Sequence, residues 1–573
     1  MRPERRQNLL LVLTLAFIAV LGGQLVYVQG IAGPAVAAEA LESRLHTVAI
    51  PGDRGDIVDA EGEVLATSVE RYDIVVNQML LAQWKSTGDS VEQAATVLAP
   101  ILGVSVAELA PVLDGQRGYA YVARGVTPEV YREIATQRIP GITAERTTER
   151  MYPAGTTAGN IVGFVGRDGN GLAGLEQVLD AELSGTPGRM TYEQGRRGQR
   201  IPAGGLDEVP AVPGRTVHLT IARDVQYMAQ TLIDTGVLST GAQWGAIQVL
   251  DVESGEILAL ADSGTVDPNT PGDTPADLRG SRSSSVIYEP GSTAKAITMA
   301  AVLEQGITTP TAQYQVPDVY TTENGQSFKD SHPHALLNLT ATGIFAESSN
   351  TGTVMLGEQL PRQVRHDYLA KFGLGQVTGV GLPGEEPGLL HDADSWDGRS
   401  QYAVLFGQAV SVTTLQATQV FATLANGGVR VQPHLVKGWS DADGVFHAAQ
   451  VPEPTRVVSE ETADTVVRMM ESAVAEGTGS NASVPGYRIG GKTGTAQAFE
   501  GGGVIKNVAS FIGVAPVDDP KIVVNVVLYD PKTSIYGGAV AAPLFAEVTQ
   551  YALQYLGVPP SGTPVDLLPS TWE

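Results

Sequence analysis

From Leu9 to Val28 the chain carries no charged residue, and its only strongly polar members are Thr14 and Gln24. A helix needs about 20 apolar residues to cross a hydrocarbon core of ~30 Å, and this run is long enough. Arg2, Arg5 and Arg6 precede it, so the positive-inside bias places the N-terminus in the cytoplasm and everything after residue 30 outside. A cleaved signal peptide is the competing reading, because Ala35-Val36-Ala37 has the form of a small-residue cleavage site. The apolar core is long for that, and the expectation is an uncleaved single-pass anchor within residues 1–30.

The remaining body is large for one domain in a chain of 573 residues. Hydrophobic residues make up 43%, which excludes general disorder. A net charge of −25 argues against a nucleic-acid groove, which needs clustered Lys and Arg. The absence of cysteine excludes disulfides, thiolate metal sites and cysteine nucleophiles, and suits an exported protein.

Residues 31–235 read as an α+β module without a catalytic cluster. Ile50 to Asp59 alternates turn formers with apolar pairs, Val91–Leu102 and Pro128–Gln137 have helical spacing, and Val217–Ile221 is strand-like. Residues 236–557 begin with a hairpin, Gly245–Leu250 and Glu256–Leu260, and end with two strands, Ala509–Val514 and Lys521–Leu528. If these four share a sheet, the middle is an inserted helical subdomain with runs at Thr293–Gln305, Val412–Ala425 and Ser459–Ala475. A last helix, Pro543–Leu556, can pack back on the sheet. Gly501-Gly502-Gly503 reads as a loop and 558–573 as a Pro-rich tail.

Three small constellations carry chemistry. In Pro290-Gly291-Ser292-Thr293-Ala294-Lys295, a Ser and a Lys three apart share a helix face, so the ammonium can reach the hydroxyl. Serine is a poor nucleophile until a neighbour takes its proton, and lysine does so only with a lowered pKa. Ser348-Ser349-Asn350 can turn a hydroxyl and an amide into one cleft. Lys492-Thr493-Gly494, read as an exposed edge strand, offers a cation, hydroxyls and a side-chain-free approach to an anionic substrate. Gly486 to Thr493 also satisfies the Gly-x-x-x-x-Gly-Lys-Thr phosphate-loop pattern, but no buried strand precedes it and no amphipathic helix follows, so nucleotide binding is not expected.

The order Ser-x-x-Lys, Ser-x-Asn, Lys-Thr-Gly resembles the signature of penicillin-binding proteins and serine β-lactamases. Tyr288 to Ser292 and Phe406 to Thr413 resemble the class B, monofunctional penicillin-binding proteins. So do Arg54-Gly55-Asp56-Ile57, Tyr152-Pro153-Ala154-Gly155, Gly171 to Glu176, and Tyr536-Gly537-Gly538 with Ala542 to Phe545. Glu289 before Pro-Gly-Ser looks like the division type, and Ala294 stands where many relatives have Phe.

The resemblance implies an α+β multidomain fold. It comprises a transmembrane helix, a pedestal similar to a dimerisation domain, and a transpeptidase domain with an antiparallel sheet flanked by helices and a helical subdomain. It implies a bacterial membrane enzyme that cross-links peptidoglycan stem peptides through acyl-Ser292. Lys295 would be the base, Ser348 a proton relay helped by Lys492, and Asn350 a holder of the acyl amide and of Lys295. Thr493 and Thr495, with Gly494 between them, would bind the terminal carboxylate, and the N–H groups of Ser292 and Thr495 would form the oxyanion hole. Metal and cofactor are none. Partners would be D-Ala-D-Ala donors, amine acceptors, β-lactams, a SEDS-type membrane glycosyltransferase and other division proteins. Alternatives are an elongation-type transpeptidase, a β-lactam hydrolase or sensor, and a catalytically idle division scaffold. Outside these motifs, His332-Pro333-His334 reads as loop, Glu385-Glu386 as a solvated turn and Trp244 as packing.

Overall fold

The computed structural model describes residues 3–84, 90–195, 201, 206–500 and 504–573, so Arg2 and the Gly501–Gly503 loop lie outside the described residues. The chain divides into two compact units.

One unit comprises Met1–Asp53 and Gly185–Gly214. Its helix Pro3–Val26 exposes its apolar side chains all round, as a lipid-facing helix does. At 1.5 Å per residue its 24 residues extend about 36 Å, enough to span a hydrocarbon core. After a helix at Gly33–Glu42, strand Leu45–Ile50 pairs antiparallel with Gly188–Glu193, which also pairs with Leu206–Val209.

The other unit comprises Arg54–Ser184 and Arg215–Glu573. Three of the sequence motifs converge inside it on one carboxylate. Glu176 is fully buried and receives Arg54 Nε at 2.6 Å and Arg150 Nε at 2.8 Å. Tyr152 Oη donates to the same carboxylate at 3.4 Å, and Arg54 also reaches the Glu176 carbonyl and Asp180. A buried carboxylate persists only when cations and donors replace its water, and here two guanidiniums do so. The long strand Val64–Val76 pairs with Ala120–Val126 and Ile142–Met151, and packs against the helices Ser90–Leu102, Val106–Leu113 and Pro128–Thr136. Its sheet continues through Ile57–Val58 and Thr216–Leu219 to Val436–Ser440, strands drawn from distant parts of the chain.

The four strands expected around the catalytic half do share a sheet, with a fifth at its edge. The antiparallel order is Ile257–Asp262, Trp244–Asp251, Ile522–Tyr529, Val504–Ala515, Gly490–Glu500. Both faces are covered, so alternation of polarity is weak: Ile247 and Val249 face Val225, Ile233, Phe545 and Val548, while Ala246 and Leu250 join the cluster of Leu415, Phe421 and Val466. Helices Arg223–Thr240 and Ala542–Tyr555 lie on the first face. Helices Lys295–Glu304, Thr414–Ala425 and Glu460–Ala475 belong to the second. Residues beyond 558 are not loose throughout. Leu568 is buried, Ser570 O accepts from Thr340 N at 3.0 Å, and Trp572 Nε1 donates to Tyr314 O and Leu339 O at 3.2 Å each.

Candidate active site

Ser292 stands in a short 3-10 turn, Gly291–Ala294, which leads into the helix Lys295–Glu304. Thr293 Oγ1 closes the turn onto Pro290 O at 2.8 Å. Gly291, at φ +55°, donates its N–H to Gly407 O at 2.9 Å. A Cβ on Gly407 would lie 2.1 Å from Gly291 O, and one on Gly291 would lie 2.7 Å from Thr495 O. These two glycines therefore let the nucleophile's turn press between the Gly407 bend and the edge strand. Upstream, Glu289 N donates to Gln497 O at 3.1 Å, so the edge strand is engaged at Gln497 while Thr495 remains exposed. Glu289 Oε1 accepts from Ala409 N at 2.9 Å, and burial raises this carboxyl above its usual range.

Lys295 is fully buried. Its Nζ donates to Ser348 O at 2.5 Å, Asn350 Oδ1 at 2.8 Å and Ser348 Oγ at 3.3 Å. Burial pushes its pKa down to about 7, against a smaller upward pull from Asp330. The spacing argument had the ammonium reaching Ser292. Among the described residues no hydrogen bond joins the two, because Ser292 precedes the regular helix and the acceptors of the 348–350 bend hold the ammonium.

Ser348 adopts φ +59° between two short helices, Ala341–Ala346 and Asn350–Gly357. Thr340 caps the first and Ser349 the second, each side chain accepting a backbone N–H from within its helix. The left-handed residue turns the chain sharply enough for Ser348 and Asn350 to meet the same ammonium. Asp330, for which the sequence offered no spacing signal, accepts from the backbone N–H groups of Asn350 and Thr351.

Lys492 to Thr495 lie on the sheet's edge strand, as expected, but Lys492, Thr493 and Gly494 are buried rather than exposed, and Thr495 alone of the four is open to solvent. Lys492 is fully buried, its Nζ 5.8 Å from the Phe345 ring centroid and within 3.3 Å of Thr493 Oγ1. Helix Glu460–Ala475 packs along this strand and removes the lysine from water. Its pKa falls well below the ordinary range, first through burial, then through Lys295, with Glu347 opposing. Thr493 Oγ1 contacts Thr478 Oγ1 at 2.8 Å. A Cβ on Gly494 would meet Ser510 Oγ at 2.2 Å. The phosphate-loop pattern therefore ends in a strand, not in the helix that phosphate binding requires.

Ser292, Ser348, Asn350, Thr493 and Thr495 line one cavity of about 570 Å³. Lys295 and Lys492 lie beneath it, hydrogen-bonded to its lining residues Ser348, Asn350 and Thr493. His332 and Tyr536 face each other at its margin, ring centroids 5.6 Å apart. Glu385 accepts from Thr378 N at 2.6 Å within its turn, and Trp244 stacks on Tyr529, so both keep structural roles.

Comparison with known proteins agrees with this geometry. The penicillin binding protein transpeptidase domain matches residues 245–550 and the penicillin-binding protein dimerisation domain residues 49–219. The chain is 37% identical to penicillin-binding protein PbpB of Mycolicibacterium smegmatis, over 98% of this chain and 91% of that protein. It is 30% identical to peptidoglycan D,D-transpeptidase FtsI of Escherichia coli, over 96% and 91%. Penicillin binding protein 3 of Mycobacterium tuberculosis, solved in complex with aztreonam, superposes with a TM-score of 0.71 at 33% identity, covering 91% of this chain and 99% of that one. The chain thus belongs to the penicillin-binding protein family, with a dimerisation domain followed by a transpeptidase domain.

Proposed function

We propose that the cleft performs D,D-transpeptidation of peptidoglycan stem peptides. Ser292 Oγ attacks the carbonyl of the D-Ala-D-Ala bond, the C–N bond breaks, and D-alanine leaves carrying the proton taken from the hydroxyl. An amine of a neighbouring stem then attacks the ester, forming the cross-link and restoring Ser292. One observation carries the reading: a lysine with its pKa brought to about 7 sits under the cavity that Ser292 lines, held by Ser348 and Asn350. Lys295 acts as base once neutral, and Ser348 passes the proton to the leaving amine with Lys492 behind it. Asn350 holds the acyl amide. The hydroxyls of Thr493 and Thr495 receive the terminal carboxylate, Gly494 leaves it room, and the backbone N–H groups of Ser292 and Thr495 stabilise the oxyanion.

A β-lactam presents the same acyl-amide and carboxylate to these groups, and the aztreonam complex of the mycobacterial relative supports that class of inhibitor. Glu289, and similarity to FtsI and PbpB, support septal rather than elongation synthesis. The apolar helix and the preceding arginines support a single-pass membrane protein with a cytoplasmic N-terminus and an external catalytic body. In that setting a SEDS-type glycosyltransferase and other division proteins would meet the anchor and pedestal.

The test is labelling with a fluorescent penicillin, wild type against Ser292→Ala, followed over time, with release of D-alanine from a stem-peptide donor as second readout. A lasting Ser292-dependent adduct is expected. Rapid loss of label would make the protein a hydrolase, and no label on folded protein would make it a scaffold.

A further inference from the structure

We infer that Asp330 is a positioning residue that clamps the Ser348–Asn350 bend and thereby sets where Lys295 is held. The inference rests on the reading of the cleft given above. Asp330 Oδ1 accepts from Asn350 N at 2.5 Å and Thr351 N at 3.0 Å. Oδ2 accepts from Ser349 Oγ at 2.7 Å and Thr351 Oγ1 at 3.2 Å, and lies 2.9 Å from His334 Nε2. One side chain, 9% exposed, thus gathers the first two backbone donors of the helix Asn350–Gly357 and both hydroxyls beside them. A carboxylate there also complements the positive end of that helix.

The preceding residue extends the clamp. Lys329 O accepts from Asn350 Nδ2 at 3.2 Å, which leaves Asn350 Oδ1 facing Lys295. Asp330 thus fixes the Asn350 backbone and Lys329 O its side-chain amide in the orientation that grips the ammonium. The charged groups around Asp330 are His334 and Asp318, and Lys295 across the bend, with Lys492 and Glu347 beyond it. His334 places Nδ1 2.7 Å from Ala335 O and Nε2 against Asp330, two acceptors for one imidazolium. Burial lowers its pKa, but the Ala335 carbonyl and the Asp330 carboxylate outweigh this and raise it.

The experiment compares Asp330→Asn with wild type in two ways. Hydrogen exchange at the Asn350 and Thr351 amides should accelerate in the variant, and unchanged exchange would overturn the clamp. Acylation of Ser292 by penicillin should slow on the order of 10²-fold, as expected when a catalytic group shifts by about 1 Å. The acid limb of its pH profile should also move to lower pH, because losing the Asp330 charge favours neutral Lys295. An unchanged rate and limb would overturn the inference. A purely structural defect would lower the rate without moving the limb, and Ser349→Ala, which removes the hydroxyl that bonds Asp330 and Thr351 and caps the helix at Gly352 N but takes away no charge, is the control for that outcome. If Asp330→Asn does not fold, Thr351→Val tests the same point in the same exchange assay, with a smaller acceleration expected. Should wild type fail to acylate, the reading of the cleft fails, and the exchange comparison still decides the clamp.

Discussion

Lys295 Nζ donates to Asn350 Oδ1 across 2.8 Å of space and 55 positions of sequence. The ammonium is therefore built into a bend, and its proton must leave before it can take one from Ser292. With a pKa of about 7, the neutral fraction grows as pH rises through that value. Penicillin acylation should fall about tenfold for each pH unit below it and level off above. Stopped-flow acylation between pH 5 and 9 checks this, and a flat profile would remove Lys295 as the base.

Gly407→Ala should disable the nucleophile without touching it. The new Cβ would lie 2.1 Å from Gly291 O, and position 407 has φ +79°. Strain of about 1–3 kcal/mol is expected from the backbone alone. The Ser292 turn must then withdraw from the edge strand, so acylation should drop by 10²-fold or more, an order-of-magnitude expectation for a 1 Å displacement. Thermal melting with a labelling assay separates the two effects.

Glu289→Ala leaves the N–H of Ala409, itself at φ +59°, without its acceptor. The expected loss is about 1–3 kcal/mol. Glu289→Gln retains an acceptor oxygen and should recover most of it, as read by denaturant midpoints. Equal losses in the two variants would show that the charge matters here, not the hydrogen bond.

Arg54→Ala strips the fully buried Glu176 of its 2.6 Å partner. Removing one member of a buried pair costs about 3–5 kcal/mol. The melting temperature should fall clearly, while Ser292 labelling survives at a permissive temperature, because among the described residues this hub makes no hydrogen bond to the cleft.

Much of this was legible in the residues. Ser292, Lys295, Ser348, Asn350 and Lys492 to Thr495 announce themselves through short spacings, and the hairpin at Gly245 and the late strands through apolar runs. The fold then brings these groups to one cavity or directly beneath it. What spacing could not show is depth and direction. Lys492 reads as an exposed edge residue because edge strands usually meet water, yet a helix from 460–475 covers it. Lys295 reads as facing Ser292 because helical geometry was assumed one turn too early. Asp330 lies in an ordinary polar stretch, and its importance depends on a tertiary contact 20 residues away.

The central sheet joins strand Trp244–Asp251 directly to Ile522–Tyr529, and the segment around Ser570 lies on the helix that leads to Ser348. Neighbours so far apart in the chain cannot meet until nearly the whole polypeptide has emerged. A chain that has not yet delivered its late strands thus holds Ser292 without the strand of Lys492 and without the support under Ser348. Chain order thus acts as a timer: the cleft is complete only once the strand of Lys492 and the segment around Ser570 have joined the earlier half.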